Sequence, residues 1–263
     1  MLLLHAAHEN CAAGKNSSGM ENKFRQHILV PCYDTDVAKL LKPASFMDLA
    51  QEAANLHANI LGFGYDNLME TRTAWVLSRM HIRFLRHPRW REEVDLTTWH
   101  KGLERLFYLR DFQMTDTEGN VLVEATTSWL VLNIDTRRLV RDAGICEEGV
   151  CRDNAIPEPC DKVQMPSDCL KEQVCVHKVS YSDVDVNGHT NNAMYLVWSM
   201  DAVGYDVASS RPLKEMKINF NHETRPGDEV TIGRACTEQD GNTVYYVEGI
   251  AAGRQAFCVE LVF

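Results

Sequence analysis

A chain of 263 residues, 45% apolar and 8% aromatic, has room for two domains of about 100–130 residues, each burying a core. Its net charge of −10 argues against nucleic acid as the main partner, and no apolar run approaches the ~18 residues a membrane span needs. Cys11, Cys32, Cys146, Cys151, Cys160, Cys169, Cys175, Cys236 and Cys258 show neither C-x-x-C spacing nor a nearby metal-type His pair. With no export signal, they read as reduced thiols of a cytoplasmic protein with no metal site.

Residues 1–23 open with Met1-Leu2-Leu3-Leu4 but lack a basic n-region, and Asn10 to Met20 is small and polar. They read as a disordered or exogenous N-terminal segment, with Met20 a candidate native start. A first domain is expected over residues 24–141. A short strand ends in Asp34-x-Asp36, and a helix follows, with Phe46, Leu49, Ala50, Ala53, Leu56, Ile60 and Leu61 at three- and four-residue steps. Gly62 stops it. Strands come next: Met80, Ile82 and Phe84 face one side, and Arg79, His81 and Arg83 the other. Tyr108–Met114 and Val121–Leu132 flank a hairpin signal at Asp116-Thr117-Glu118-Gly119-Asn120. Residues 142–175, with Pro157, Pro159 and Pro166 and many charges, read as a linker. A second domain is expected over 176–263, with a helix from about Asn192 to Val203 stopped by Gly204 and a turn at Asp240-Gly241.

The second domain repeats the first. With 30–53 laid over 179–202, Val30, Asp34, Asp36, Val37, Ala44 and Ala53 fall on Val179, Asp183, Asp185, Val186, Ala193 and Ala202. With 80–94 over 216–230, Met80, Ile82, Phe84, Arg89, Glu93 and Val94 fall on Met216, Ile218, Phe220, Arg225, Glu229 and Val230. The offset drops from 149 to 136, so the second copy is 13 residues shorter between the blocks. Each copy is one helix followed by antiparallel strands. A lone helix can bury its apolar face only against that sheet, which gives an α+β class with the sheet wrapped around a central helix.

One copy carries a polar constellation. Asp185, Asn187 and His189 alternate, so in extended chain they point one way. Gly188 permits a sharp turn, and Asn191 or Asn192 can cap the helix that follows. The helix N-terminus offers free N–H groups for a carbonyl oxygen. Glu223, at the end of a core strand, completes the set as a candidate base with a raised pKa. Asp-x-Asn-Gly alone is a common turn. The first copy, however, keeps Asp36 but has Ala38, Leu40 and His87 in place of Asn187, His189 and Glu223. The repeat therefore holds one chemical site.

Asp185-Val186-Asn187-Gly188-His189-x-Asn191-Asn192-x-x-Tyr195-x-x-Trp198 resembles the signature of the acyl-acyl carrier protein (acyl-ACP) thioesterases of plants and bacteria. In the first copy Gly62-Phe63-Gly64, Trp75-Val76-Leu77-Ser78-Arg79, Thr98-Trp99, Arg110-Asp111-Phe112 and Asp135-Thr136-Arg137-Arg138 are similar to that family's pattern. The resemblance implies two tandem hotdog domains and hydrolysis of long- or medium-chain acyl-ACP to free fatty acid. It implies Asp185, Asn187, His189 and Glu223 as catalytic residues. Plant members often carry a cysteine directly after this glutamate. Thr224 stands there, which favours direct attack by water.

On this reading the carbonyl lies near Asn191 and Asn192, and the acyl chain runs into the first copy, with Met47, Leu61, Phe63 and Trp75 as candidate lining. Because carrier protein is acidic, Arg83, Arg86, Arg89, Arg137 and Arg138 are the candidate docking residues. No cofactor is expected, since the substrate carries its own phosphopantetheine arm. Monomer and homodimer both fit. An acyl-CoA thioesterase of the hotdog superfamily is the alternative, sharing the catalytic set and differing in the docking surface.

Overall fold

In the computed structural model, which describes residues 22–141, 143–145, 149–167 and 169–263, the chain folds as two similar halves. The first runs β1 (Phe24–Leu29), α1 (Pro43–Ile60), α2 (Tyr65–Glu70), β2 (Thr73–Phe84), β3 (Glu93–Glu104), β4 (Phe107–Asp116) and β5 (Val121–Asn133). The second runs β6 (Glu172–Lys178), α3 (Asn192–Val203), α4 (Tyr205–Ser210), β7 (Glu215–Phe220), β8 (Glu229–Gln239), β9 (Asn242–Ala251) and β10 (Arg254–Val262). The reading of residues 1–23 falls outside the described residues up to residue 21, as do Cys11 and Cys146. The other seven cysteines are free thiols. No helix among the described residues is long and apolar enough to cross a membrane.

Local chemistry explains the element ends. Pro43 opens α1, where a missing N–H costs nothing, and Gly62 follows its end at φ 79°. α1 buries Phe46, Met47, Ala50, Ala53, Ala54, His57 and Ala58, while Ile60, read as part of the apolar stripe, is 57% exposed. Asp240 and Gly241 take φ 49° and 78°, the paired left-handed conformation of a two-residue hairpin. The two Asp-x-Asp segments lie beyond their strands. β1 and β6 end earlier, and Asp34 and Asp183 sit in 3-10 turns at Cys32–Asp34 and Tyr181–Asp183.

The ten strands form one antiparallel sheet in the order β1-β3-β4-β5-β2-β7-β10-β9-β8-β6. The first five and the last five are mirror orders of equivalent strands, so each half is a hotdog unit and a pseudo-twofold axis passes between β2 and β7. Across that seam Met80 pairs with Ile218 and Ile82 with Met216. α1 and α3 lie side by side on one face of the sheet. Phe46, Ile82 and Phe112 share a single core with Leu196, Ile218 and Phe257. Each such side chain contributes about 1.5–3 kcal/mol by leaving water.

Within the stretch read as a linker, residues 153–163 form a strap over the opposite face. Ala155, Ile156, Cys160 and Val163 are buried. Asp111 accepts from the Ala155 N–H at 2.8 Å, and Trp99 donates to the Asp153 carbonyl at 2.8 Å. The strap crosses the seam. Arg79 donates to the Cys160 carbonyl (3.1 Å), Arg83 meets Glu158 (3.2 Å), and Asn219 both accepts from Val163 N–H (3.1 Å) and donates to its carbonyl (2.6 Å). Arg79, His81 and Arg83 therefore face packed chain. His81 is buried 2.6 Å from Glu215, whose carboxyl this contact lowers to about 2 against the opposing effect of burial. β6 begins at Glu172, inside the supposed linker.

Asn219→Ala leaves the Val163 N–H and C=O without partners at a buried position, at a cost of about 1–3 kcal/mol. The expected outcome is a lower urea midpoint and new protease cleavage near residue 163. An unchanged cleavage pattern would show that the strap does not depend on this contact.

Candidate active site

The loop before α3 is a tight turn. Val184 bridges Thr190, Asp185 N–H donates to the His189 carbonyl (2.9 Å), and Gly188 N–H donates to the Asp185 carbonyl (3.0 Å). The extended alternation read from the sequence is thus replaced by a turn that closes on itself. Gly188 takes φ 74°, which favours glycine. The Asp185 carboxylate accepts from the backbone N–H of Asn187 (2.8 Å) and from its side-chain amide (3.3 Å), so it orients Asn187, which is exposed.

His189 and Glu223 are brought together by their chain neighbours. Thr190 N–H donates to the Thr224 carbonyl (2.9 Å), and the two hydroxyls meet at 2.6 Å. Tyr195 of α3 completes the clamp: its hydroxyl lies 3.0 Å from Thr224 Oγ1 and accepts from Thr224 N–H at 3.1 Å. Thr224 is fully buried in this network, which fixes the backbone on which Glu223 sits. The first half keeps the backbone bond, Leu41 N–H to the Pro88 carbonyl at 2.8 Å, but fills the clamp with Leu41, Pro88 and Phe46. His87, at the Glu223 position, is buried between the carbonyls of Leu41 and Leu213.

As a result His189 Nδ1 stands 3.5 Å from Glu223 Oε2. Arg225 donates to Glu223 Oε1 at 2.8 Å, and Arg137, from the turn after β5 in the first half, pairs with the same oxygen. Burial pushes the Glu223 carboxyl up, but Arg137, Arg225 and His189 together outweigh it and hold it below the usual glutamate range. The raised pKa expected from the sequence is therefore reversed, by two arginines.

Asn191 caps α3, its side-chain oxygen accepting from Ala193 N–H at 3.1 Å. Met194 N–H donates to the Asn191 carbonyl at 2.9 Å. The backbone N–H of Asn192 remains free of acceptors among the described residues, pointing off the helix end. α1 of the first half faces this end. Asn191 Nδ2 donates to Asp48 (3.0 Å), and Asn192 Nδ2 donates to Gln51 (3.2 Å).

Gln51 also lines a cavity of about 10 Å³, room for roughly one water, with Met47, Ala50, Leu77, Met80, Phe112, Thr127 and Trp129. Of the candidate lining residues only Met47 is there. Leu61 and Phe63 pack with Trp75 in a separate cluster beyond the far end of α1, Leu61 lying roughly 21 Å from Met47 at 1.5 Å per residue. Trp75 donates to the Phe63 carbonyl at 3.0 Å.

The candidate docking arginines do not form one free patch. Arg83 meets Glu158 and Glu215, Arg86 meets Glu92 and Asp116, and Arg137 meets Glu223. Arg89 and Arg138 are exposed, and neither guanidinium pairs with a carboxylate among the described residues, although the Arg89 backbone N–H donates to Glu92. Arg89 bridges Leu40, which places it at the degenerate loop. The sequence reading missed Asp48, Gln51, Thr190 and the partnership of Arg137 with Glu223. Thr190 and Tyr195 belong to the motif, and their first-half counterparts Leu41 and Phe46 were the signal that they are polar in one copy only.

Two family patterns match this chain: the acyl-ACP thioesterase N-terminal domain over residues 21–148 and the acyl-ACP thioesterase C-terminal domain over residues 169–256. A chloroplastic oleoyl-acyl carrier protein thioesterase of Coriandrum sativum is 27% identical over 224 residues, covering 79% of this chain and 61% of the relative. A chloroplastic palmitoyl-acyl carrier protein thioesterase of Gossypium hirsutum is 27% identical over 236 residues, covering 84% of this chain and 56% of the relative. The chain thus spans about three fifths of the length of these plant relatives. The fold is shared with an acyl-ACP thioesterase of Bacteroides thetaiotaomicron (24% identity, TM-score 0.81, 92% of this chain, 98% of that one). It is shared too with the 12:0-ACP thioesterase of Umbellularia californica (20% identity, TM-score 0.82, 92% of this chain, 93% of that one).

Because Glu223 titrates low, its ion pairs stabilise the fold above its unfolded pKa, and that contribution is lost as pH falls through the folded value. In Arg137→Ala the Glu223 midpoint should rise toward the ordinary range and the loss should begin at higher pH. Carbon NMR titration of the Glu223 carboxyl checks this, and an unmoved midpoint would remove Arg137 from the site's electrostatics.

Proposed function

The chain belongs to the acyl-ACP thioesterase family, and on that footing we propose that it hydrolyses the thioester of long- or medium-chain acyl-ACP, releasing free fatty acid. The observation that carries the reading is the His189–Glu223 pair held by the threonine clamp beside the free N–H of Asn192. The thioester carbonyl oxygen sits on that N–H, where a developing oxyanion is stabilised by a donor already in place. Water attacks the carbonyl carbon and gives its proton to His189. The C–S bond breaks, and the proton passes to the thiolate of the leaving pantetheine arm.

Low basicity and two arginine partners make Glu223 the weaker proton acceptor of the pair. Its place beside Nδ1 suits it to fix the imidazole so that Nε2 faces the water, the division of labour of a histidine and its orienting carboxylate. Asn187, held by Asp185, presents its side-chain oxygen to the water or to the arm's amides. Thr224 lies buried in the clamp, which supports water rather than a residue as the nucleophile.

The acyl chain leaves the carbonyl past Gln51 and enters the cavity around Met47 and Met80. Their flexible side chains can move apart to widen it. Arg138, exposed and next to Arg137, is the best placed of the arginines to meet the acidic carrier protein.

Hydrolysis of palmitoyl-ACP, a shorter acyl-ACP and the matching acyl-CoAs tests the reading. The expected result is a preference for carrier-protein substrates and a fall of at least about 10²-fold in kcat for Glu223→Ala and His189→Ala. Equal or faster turnover of acyl-CoA would overturn the substrate assignment and keep the site. Near-normal rates in both variants would overturn the site. A further variant, Ala50→Leu, narrows the cavity and should shift the released acids toward shorter chains by gas chromatography. An unshifted profile would place the chain elsewhere.

A further inference from the structure

The pseudo-twofold axis gives the chain two equivalent corners, each made of one half's loop and the other half's helix. At the active corner the loop before α3 faces α1. By the same axis the loop before α1 is set toward α3 at the other, silent corner. The helix residues differ in the same sense as the loops. Asp48 and Gln51 of α1 correspond to Val197 and Met200 of α3 under the 149-residue offset. Asn192, whose N–H is free, corresponds to Pro43, which has no N–H. The silent corner has therefore lost a backbone donor at the helix end and a side-chain donor across from it, while keeping the turn. Asp36 N–H still donates to the Leu40 carbonyl and Lys42 N–H to the Asp34 carbonyl, both at 2.9 Å. Folding requires neither donor, since the silent corner folds without them.

We infer that Gln51 is a catalytic residue, its Nε2 amide donating to the thioester carbonyl oxygen as the second partner beside the Asn192 N–H. The inference deepens the thioesterase reading and rests on it. Asn192 Nδ2 holds Gln51 Oε1 at 3.2 Å, which fixes the plane of the amide. Nε2 is then directed away from the Asn192 side chain and takes no acceptor among the described residues. Gln51 also lines the cavity, so the carbonyl that it and Asn192 share lies where the acyl chain enters the first half. Gln51 supplies a hydrogen bond and transfers no proton. Water's oxygen still bonds to carbon, the C–S bond breaks, and the proton travels by His189 to sulfur. The half without the motif would then contribute to the reaction itself as well as to chain binding.

Gln51→Glu separates this role from a structural one. The glutamate keeps an oxygen for Asn192 and similar bulk beside the cavity but has no N–H to give. Steady-state kinetics of the full chain on palmitoyl-ACP should show kcat down about 10²-fold with KM within about threefold, as for loss of one oxyanion donor. Gln51→Met, the residue of the silent corner, should match it, with circular dichroism reporting its fold. If Gln51→Glu stays within about threefold of the wild-type kcat while His189→Ala is inactive, the inference is overturned and the thioesterase reading stands. If the wild type hydrolyses no acyl-ACP, both fall.

Discussion

The pairing of β2 with β7 is the constraint from which the rest follows. Five residue pairs, from Arg79–Asn219 to Arg83–Glu215, join two five-stranded sheets edge to edge. An isolated unit would expose that edge, with unpaired N–H and C=O groups and half a core. Joined, the units bury Met80, Ile82, Met216 and Ile218 at the centre, and α1 must lie beside α3. Only then does the polar face of α1 reach the start of α3, and only then can Arg137 on the first half reach Glu223 on the second. The strap from Asp153 to Val163 closes the other face of the same seam.

Within that frame the site is placed mostly by groups that do no chemistry. His189 and Glu223 have no direct hydrogen bond to hold them; their neighbours Thr190 and Thr224 do so, with Tyr195 as third partner. A buried, fully satisfied hydroxyl network is stiff because breaking any member strands another. The first half shows the alternative solution, an apolar wedge of Leu41, Phe46 and Pro88 with the same backbone bond. The two corners therefore keep one fold with different side chains in the clamp.

Much of this was legible in the residues. Periodicity gave both central helices, Gly62 and Gly204 their ends, Asp240-Gly241 a hairpin, and the repeat comparison singled out the corner where His189 meets Glu223. What escaped has a common physical origin: contacts between groups far apart in the chain. Periodicity reports one face of one element, so it set Arg79, His81 and Arg83 on the side away from Met80, Ile82 and Phe84 without showing what covers them, and left the strap unseen. Proline and charge in residues 142–175 signalled an absence of regular structure, which differs from an absence of packing. The sign of the Glu223 shift depended on Arg137, whose position no local pattern encodes. Gly188 marked the turn at Asp185–His189, whereas the alternation of the polar residues around it implied an extended run that the turn replaces.

Holding both corners in one polypeptide has a genetic consequence. In an assembly of two identical subunits each codon is expressed at both corners, so a side chain suited to one must be tolerated in the other. Here codons 51 and 200 mutate separately, as do 43 and 192. Selection acting on the cavity around Met47, Ala50 and Phe112 can alter its shape without touching the codons of the loop before α3. Shape and chemistry can thus diversify at different rates within a single gene.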